Sequence, residues 1–197
     1  MFKNLYSTII AVGLFLPQLA SAETWNVDSS HSQVSFEVDH MMISTVKGDF
    51  GSFSGELNTD SKGKLTSMSG EVSIISVDTD NKKRDTHLQG DDFFNAELFP
   101  NITFKSSKMK GSHEKGYTVD GELTIRDVTK SVTLKLSPIK GPVVDGWGNT
   151  KIGTTATTTI DRQEFGVSWN STLDAGGLVV SDDVRITLNL ELAKSAK

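Results

Sequence analysis

The 197-residue chain contains no cysteine. That excludes disulfide crosslinks, thiolate metal centres and a thiol nucleophile, and also a lipid anchor on a cysteine behind an export signal. Basic clusters are missing as well. Lys and Arg number 20 against 25 Asp and Glu, for a formal net charge of −5. A mildly acidic chain without Lys/Arg clusters or RNP-like motifs is a poor fit for nucleic acid. The four histidines, His31, His40, His87 and His113, show no i, i+4 or His-x-His spacing, so no metal ligand is assigned and no cofactor is expected. Asp85 and His87 are close enough in sequence to form an acid–base pair. There is no Gly-x-Ser-x-Gly elbow or other activated nucleophile for them to serve. No catalytic residue is therefore assigned, and a hydrolase is the least supported reading. Long-period repeats and internal linkers are absent too, which leaves one domain.

Only one apolar run stands out, and it lies at the start. Lys3 gives a positive n-region, Ile9 to Leu16 an apolar core, Pro17 a break, and Ala20-Ser21-Ala22 a small-x-small cleavage site. The run is shorter than the ~20 residues of a membrane span. The expectation is a cleaved signal peptide over residues 1–22, an exported protein, and a single domain over residues 23–197. Removing the signal takes one lysine, so 19 basic residues face 25 acidic ones, for −6.

Most of the remainder alternates with the period of two that marks strands. Val34, Phe36 and Val38 alternate with Ser35, Glu37 and Asp39. Val46 to Leu57 is spaced by Gly48, Gly51 and Gly55, where bulges or bends are expected. Val72 to Val77 reads as a third strand, and Ile102, Phe104 and Ser106 open a fourth. Tyr117, Val119, Gly121, Leu123 and Ile125 share one face of the next, followed by Val132, Leu134 and Leu136. Pro138 to Asn149 reads as a longer loop carrying Trp147, and Thr154 to Ile160 as a Thr-rich strand. After a Gly- and Asp-rich loop (Asp174 to Gly177), Val184, Ile186, Leu188, Leu190 and Leu192 give the clearest alternation of all. About eight strands at these spacings imply an all-β antiparallel barrel or sandwich. An outer-membrane barrel has the same period, but here the aromatic girdles are missing and the end, Ala193 to Lys197, is polar. A barrel with its apolar face inward, without stable membrane insertion, is preferred.

One segment, Ser76 to Phe104, breaks the strand pattern. It predicts a short helical segment near residues 80–97, with Lys82 to Gln89 as the helix, Asp78 or Asp80 as its cap and Gly90 as its C′ residue. Asp91 or Asp92 caps a second turn. Leu88, Phe93, Phe94, Leu98 and Phe99 then point a greasy surface at one end of the barrel. They either line an apolar cavity or plug it. Arg84, Asp85 and His87 form a polar rim, with an Arg84–Asp85 ion pair pinning the lid as the plainer alternative.

These residues resemble the YceI-like family of exported bacterial proteins over essentially the whole mature length. The resemblance is carried by Trp25-Asn26-Val27-Asp28 with His31-Ser32, Gly48-Asp49-Phe50, Arg84-Asp85-Thr86-His87-Leu88 and Asp92-Phe93-Phe94. It continues through Phe99-Pro100-Asn101-Ile102-Thr103-Phe104, Gly121-Glu122-Leu123-Thr124-Ile125 and Arg162-Gln163-Glu164-Phe165-Gly166. The chain departs from the family pattern at Asp127, usually glycine, and at Ser131, often proline. Asp127 tolerates a left-handed turn, so the hairpin is expected to survive.

The resemblance implies an all-β, eight-stranded antiparallel lipocalin-like barrel around a long apolar tunnel. It further implies a periplasmic, non-catalytic protein that holds a polyisoprenoid or isoprenoid-quinone-type lipid, in a family whose members are often homodimers. Other amphiphiles, such as fatty acids or fatty amides, are the alternative ligands. The expected tunnel wall is Phe36, Val38, Phe50, Phe53, Ile74, Leu88, Phe93, Phe94, Phe99, Ile102, Phe104, Leu123, Ile125 and Phe165. Arg84, Asp85 and His87 form its polar rim.

Overall fold

The computed structural model describes residues 22–172 and 178–195. The expected signal peptide, apart from Ala22, and the loop at Asp174–Gly177 lie outside the described residues. Among the described residues, twelve strands and one α-helix make up the fold. They are β1 (Glu23–Val27), β2 (Gln33–His40), β3 (Ser44–Phe50), β4 (Phe53–Thr59), β5 (Leu65–Ser73) and β6 (Val77–Asp78). The helix α1 (Lys82–Gln89) follows, then β7 (Asn101–Ser112), β8 (Gly116–Ile125), β9 (Val128–Leu136), β10 (Lys140–Val144), β11 (Thr150–Asp161) and β12 (Val180–Lys194).

The sheet closes on itself. Along one edge β12 pairs with β11, from Lys151↔Ala193 to Asp161↔Asp183. Along the other it pairs first with β2 and then with β1. Thus β1 and β2 act as one bent barrel strand, and β3 and β4, broken at Gly51–Ser52, act as the next. With β5, β7, β8, β9, β11 and β12 they form a closed eight-stranded antiparallel barrel in which sequence neighbours are spatial neighbours. Closure removes the unpaired edges that make open sheets prone to association.

Two strands differ from the sequence reading. The third barrel strand is Leu65–Ser73. Ile74–Ser76 leaves the wall as a 3-10 turn, and only Val77–Asp78 pairs again, with Asp49–Phe50. The expected strand at Val72–Val77 is therefore a strand end, a turn and a short bridge. The expected loop at Pro138–Asn149 contains β10, which extends the sheet beside β11. All five of its residues are exposed, so it carries no buried face for alternation to reveal.

Period two does place the core. Tyr117, Val119, Leu123, Ile125, Leu190 and Leu192 all point inward and are buried. At one end the barrel is solid: Trp25, Leu57, Leu65, Tyr117, Val119 and Leu192 pack into one cluster. At the other end two thinner clusters face each other across the interior. One is built around Phe93, Ile125, Ile160 and Phe165, the other around Val34, Phe50 and Val77. Among the described residues no helix is long and apolar enough to cross a membrane.

The Asp78–Pro100 segment crosses the second end. Its helix is Lys82–Gln89, as expected, but the cap is Asn81, whose side chain accepts the Arg84 N–H at 3.1 Å. Asp78 instead accepts the Asp80 N–H and closes the turn ahead of the helix. Gly90 follows with φ −71°, so it is not a left-handed C′ residue. The second turn is not helical. It turns through Asn95, at φ 52°.

Candidate functional site

Between the two thinner clusters lies a cavity of about 370 Å³. Most of its wall comes from strands that also build the barrel. Val34, Phe36 and Val38 come from β2, Ile102 and Phe104 from β7, Leu123 and Ile125 from β8, and Val184, Ile186 and Leu188 from β12. Leu88, Phe93 and Phe94 of the crossing segment close one side.

The aromatics line this space rather than fill it, and the glycines explain why. Phe36 lies against Gly48, its partner across β2 and β3; a Cβ at Gly48 would sit 2.4 Å from Phe36 Cζ. Phe104 lies over Gly121 in the same way, where a Cβ would come within 2.5 Å of its Cζ. Each missing side chain lets a ring lie flat on the wall, and the lumen stays open.

All but three of the expected wall residues line the cavity. Ile74 does not, because it turns inside the 3-10 segment and is fully buried behind the wall. Phe165 packs beneath the 3-10 turn Arg162–Phe165, against the Ile125 and Ile160 cluster. Phe99 sits beyond the turn at Asn95, 5.8 Å under the Arg126 guanidinium, and Leu98 beside it is exposed. Lining residues absent from the expected wall include Val34, Val132, Ile160, Val167, Trp169 and the inward row of β12. The β12 residues carried the signal, since theirs is the strongest alternation in the chain.

The expected rim divides. Asp85 is not at the cavity: its carboxylate accepts the Thr79 N–H at 2.9 Å and the Thr79 hydroxyl at 2.6 Å. Arg84 Nε donates to Thr79 Oγ1 at 2.7 Å and Nη2 to the Thr79 carbonyl at 2.6 Å. Arg84 and Asp85 therefore do not form the expected ion pair. Both grip Thr79, which is 5 % exposed, and tie the helix to β6. Arg84 still borders the cavity, as does His87. The His87 Nε2 lies 3.1 Å from Asp92 Oδ2, and its ring meets Phe93 and Trp169 edge-on at 4.9 and 5.2 Å. Asp85 and His87 are thus not an acid–base pair.

Two arginines hold the surroundings in place. Arg162 is 5 % exposed and lines the cavity. It donates to the carbonyls of Val167, Trp169, Val180 and Ser181 and reaches Asp182, so its buried donors are satisfied. Burial pulls its pKa below the ordinary value, against the nearby Asp182 and Asp161 carboxylates. Arg126 donates to the Phe93 carbonyl at 3.0 Å and the Gly166 carbonyl at 2.9 Å, clamping the crossing segment to the rim. In its hairpin the left-handed residue is Arg126, at φ 57°, and not the expected Asp127. These carbonyl bonds offset the cost of that conformation.

A second polar cluster lies outside the cavity. Asp28, His31 and Glu191 bring ligand atoms within 4.8 Å of one another. The Lys151 ammonium already sits among them, 3.0 Å from Asp28 and 2.8 Å from Glu191. Their hydrogen bonds raise the Lys151 pKa, while Ser30, Lys151 and His31 hold Asp28 well below the usual carboxylate range. Ser30 and Asp28 both contact the same nitrogen of His31, Nδ1. A catalytic triad uses opposite ring nitrogens for the two, so this cluster is a structural ion network.

The family model of the YceI-like domain matches residues 25–192. The chain belongs to the YceI-like family. A UPF0312 protein of Shewanella sp. (strain W3-18-1) is 35% identical over 171 residues, covering 85% of this chain and 88% of the relative. Among solved structures, Burkholderia cenocepacia BcnA superposes with a TM-score of 0.72 at 26% identity, covering 84% of this chain and 98% of BcnA. A polyisoprenoid binding domain from Saccharophagus degradans superposes at 0.62 with 15% identity, covering 90% of this chain and all of that domain. At that identity the likeness is one of fold.

Proposed function

We propose that this protein is a non-catalytic periplasmic carrier that holds a polyisoprenoid or isoprenoid-quinone-type lipid in the barrel lumen. The observation that carries the reading is the apolar cavity left open by the rings folded onto Gly48 and Gly121. The lumen, about 370 Å³, is walled almost wholly by apolar side chains. A chain of CH₂ and CH₃ groups packed there is stabilised by about 0.8 kcal/mol per buried methylene. The polyisoprenoid binding named for the S. degradans domain supports this ligand class. The head group sits at the Arg84 and His87 edge, where polar atoms border the lumen.

Native mass spectrometry of protein purified from its host tests the reading. A stoichiometric isoprenoid lipid is expected. A fatty acid or amide would redirect the assignment, an empty barrel would overturn it, and turnover of an added lipid would point to an enzyme instead.

A further inference from the structure

The outward residues of β2 and β3 are polar: Ser35, Glu37 and Asp39 on one, Thr45, Lys47 and Asp49 on the other. The tip that joins them is Met41-Met42-Ile43, with Met42 73 % and Ile43 82 % exposed. Leu178, 40 % exposed, borders the same shallow groove. Folding alone does not explain this choice. The Ile43 N–H reaches the His40 carbonyl at 3.2 Å, closing a tight turn with Met41 at φ 52° and Met42 at φ 59°. Hairpin turns with two positive φ values favour Asn-Gly, and methionine carries a steric cost there without the local hydrogen bonds of asparagine.

The tip adjoins the lumen. Asp39 borders both the cavity and the tip groove, His40 lines the cavity, and the Met41 N–H is bound to the carbonyl of Val179, another lining residue. The opposite end of the barrel is sealed by the Trp25 and Leu57 cluster. A water-insoluble chain held in the lumen would therefore pass beside this tip rather than through the sealed end. Charge narrows the occupant further. Arg185 is engaged by Asp39 and Glu37, and Lys47 by Glu37, while Asp182 and Asp183 line the groove. Among the described residues no basic cluster is present at the tip to attract anionic headgroups, and two such acidic tips repel each other.

We propose that the Met41–Ile43 tip is a membrane-docking wedge. It inserts shallowly into a zwitterionic bilayer while lipid passes between bilayer and lumen, a role that rests on the lumen being a lipid site. The contact is weak and reversible, since a few apolar side chains without a basic patch cannot anchor a protein stably.

Replacing Met41-Met42 with Asn-Gly tests this without threatening the fold, because the new pair suits the turn. The Tm is expected to rise by a few degrees. Binding to phosphatidylcholine vesicles is expected to fall by about tenfold, the loss for one buried side chain of this size. Uptake of a fluorescent polyprenol from those vesicles slows by a similar factor, while final occupancy is unchanged. Added phosphatidylglycerol weakens wild-type binding. Equal vesicle binding by wild type and variant overturns the proposal. A tip-dependent dimer in ultracentrifugation, with no vesicle binding, overturns it in favour of a second copy. Tip-dependent vesicle binding without polyprenol uptake upholds the docking surface and overturns the lipid reading of the lumen.

Discussion

Single residues decide whether the interior is a core or a lumen. At Gly48 the atoms nearest to an added Cβ belong to side chains, Phe36 at 2.4 Å and Thr79 Cγ2 at 2.7 Å. Gly48→Ala is therefore expected to turn the Phe36 ring into the lumen and leave the barrel folded. Lipid capacity, read as bound lipid per protein by native mass spectrometry, should fall severalfold, with a Tm change of only a few degrees. Arg162 is the opposite case, a residue whose removal damages the fold. Arg162→Met leaves the Val167, Trp169 and Ser181 carbonyls without their donor, and a loss of roughly 3 kcal/mol is expected in urea denaturation. Asp28 gives a pH dependence. Its carboxyl is depressed by Ser30, Lys151 and His31, so its contribution to stability is present above its unfolded value near ~4 and is lost as pH falls below that. Urea midpoints between pH 7 and pH 3 should drop more steeply for wild type than for Asp28→Asn. Parallel curves would show that the network does not couple to folding.

Among the elements, the Asp78–Pro100 segment is held by side-chain bonds more than by its own helix. α1 has eight residues, none of them buried, and its Asn81 cap contributes about 1 kcal/mol. Thr79 fastens one end through Arg84 and Asp85, and Arg126 fastens the other through the Phe93 and Gly166 carbonyls. Arg126→Ala is expected to raise backbone hydrogen exchange across residues 88–96 by about tenfold while β7 and β8 stay protected. Uniform exchange across the barrel would place Arg126 in the global fold instead. The helix itself was legible from Lys82 to Gln89, because Gly90 and Pro100 bound it. Its cap, the exit of Phe99 and the turning away of Ile74 were not. Each depends on how the chain leaves the barrel wall at Ser73, a break with no composition signal of its own.

At the scale of the whole molecule, one solid end and one hollow end share a single cooperative barrel. Occupancy of the lumen should therefore stabilise every strand together. A lipid at about 100 times its Kd adds about 2.7 kcal/mol, so stripping the lipid should lower the Tm by roughly 5–10 °C in a single transition. An unchanged Tm on stripping would mean that the cavity binds nothing tightly.

The alternation of Val34, Phe36 and Val38, of Tyr117 to Ile125 and of Val184 to Leu192 determined by itself where strands run and which residues share a face, and the missing aromatic girdles and polar end turned the apolar face inward. Side-chain direction in a strand is local, set every two residues by the backbone. The sequence also carried the family motifs and the unusual segment after Ser76. It did not determine which inward residues face empty space. Val119 and Leu123 are equivalent by period, yet Val119 fills the solid end and Leu123 lines the cavity. Nor did it separate Phe93, at the cavity, from Phe165, packed beneath a turn. Height along the barrel and the distance to the opposite wall arise from strand register and closure, which join residues far apart in the chain. Only the tertiary structure decided that Phe36 meets Gly48 and Phe104 meets Gly121, so that the interior stays open.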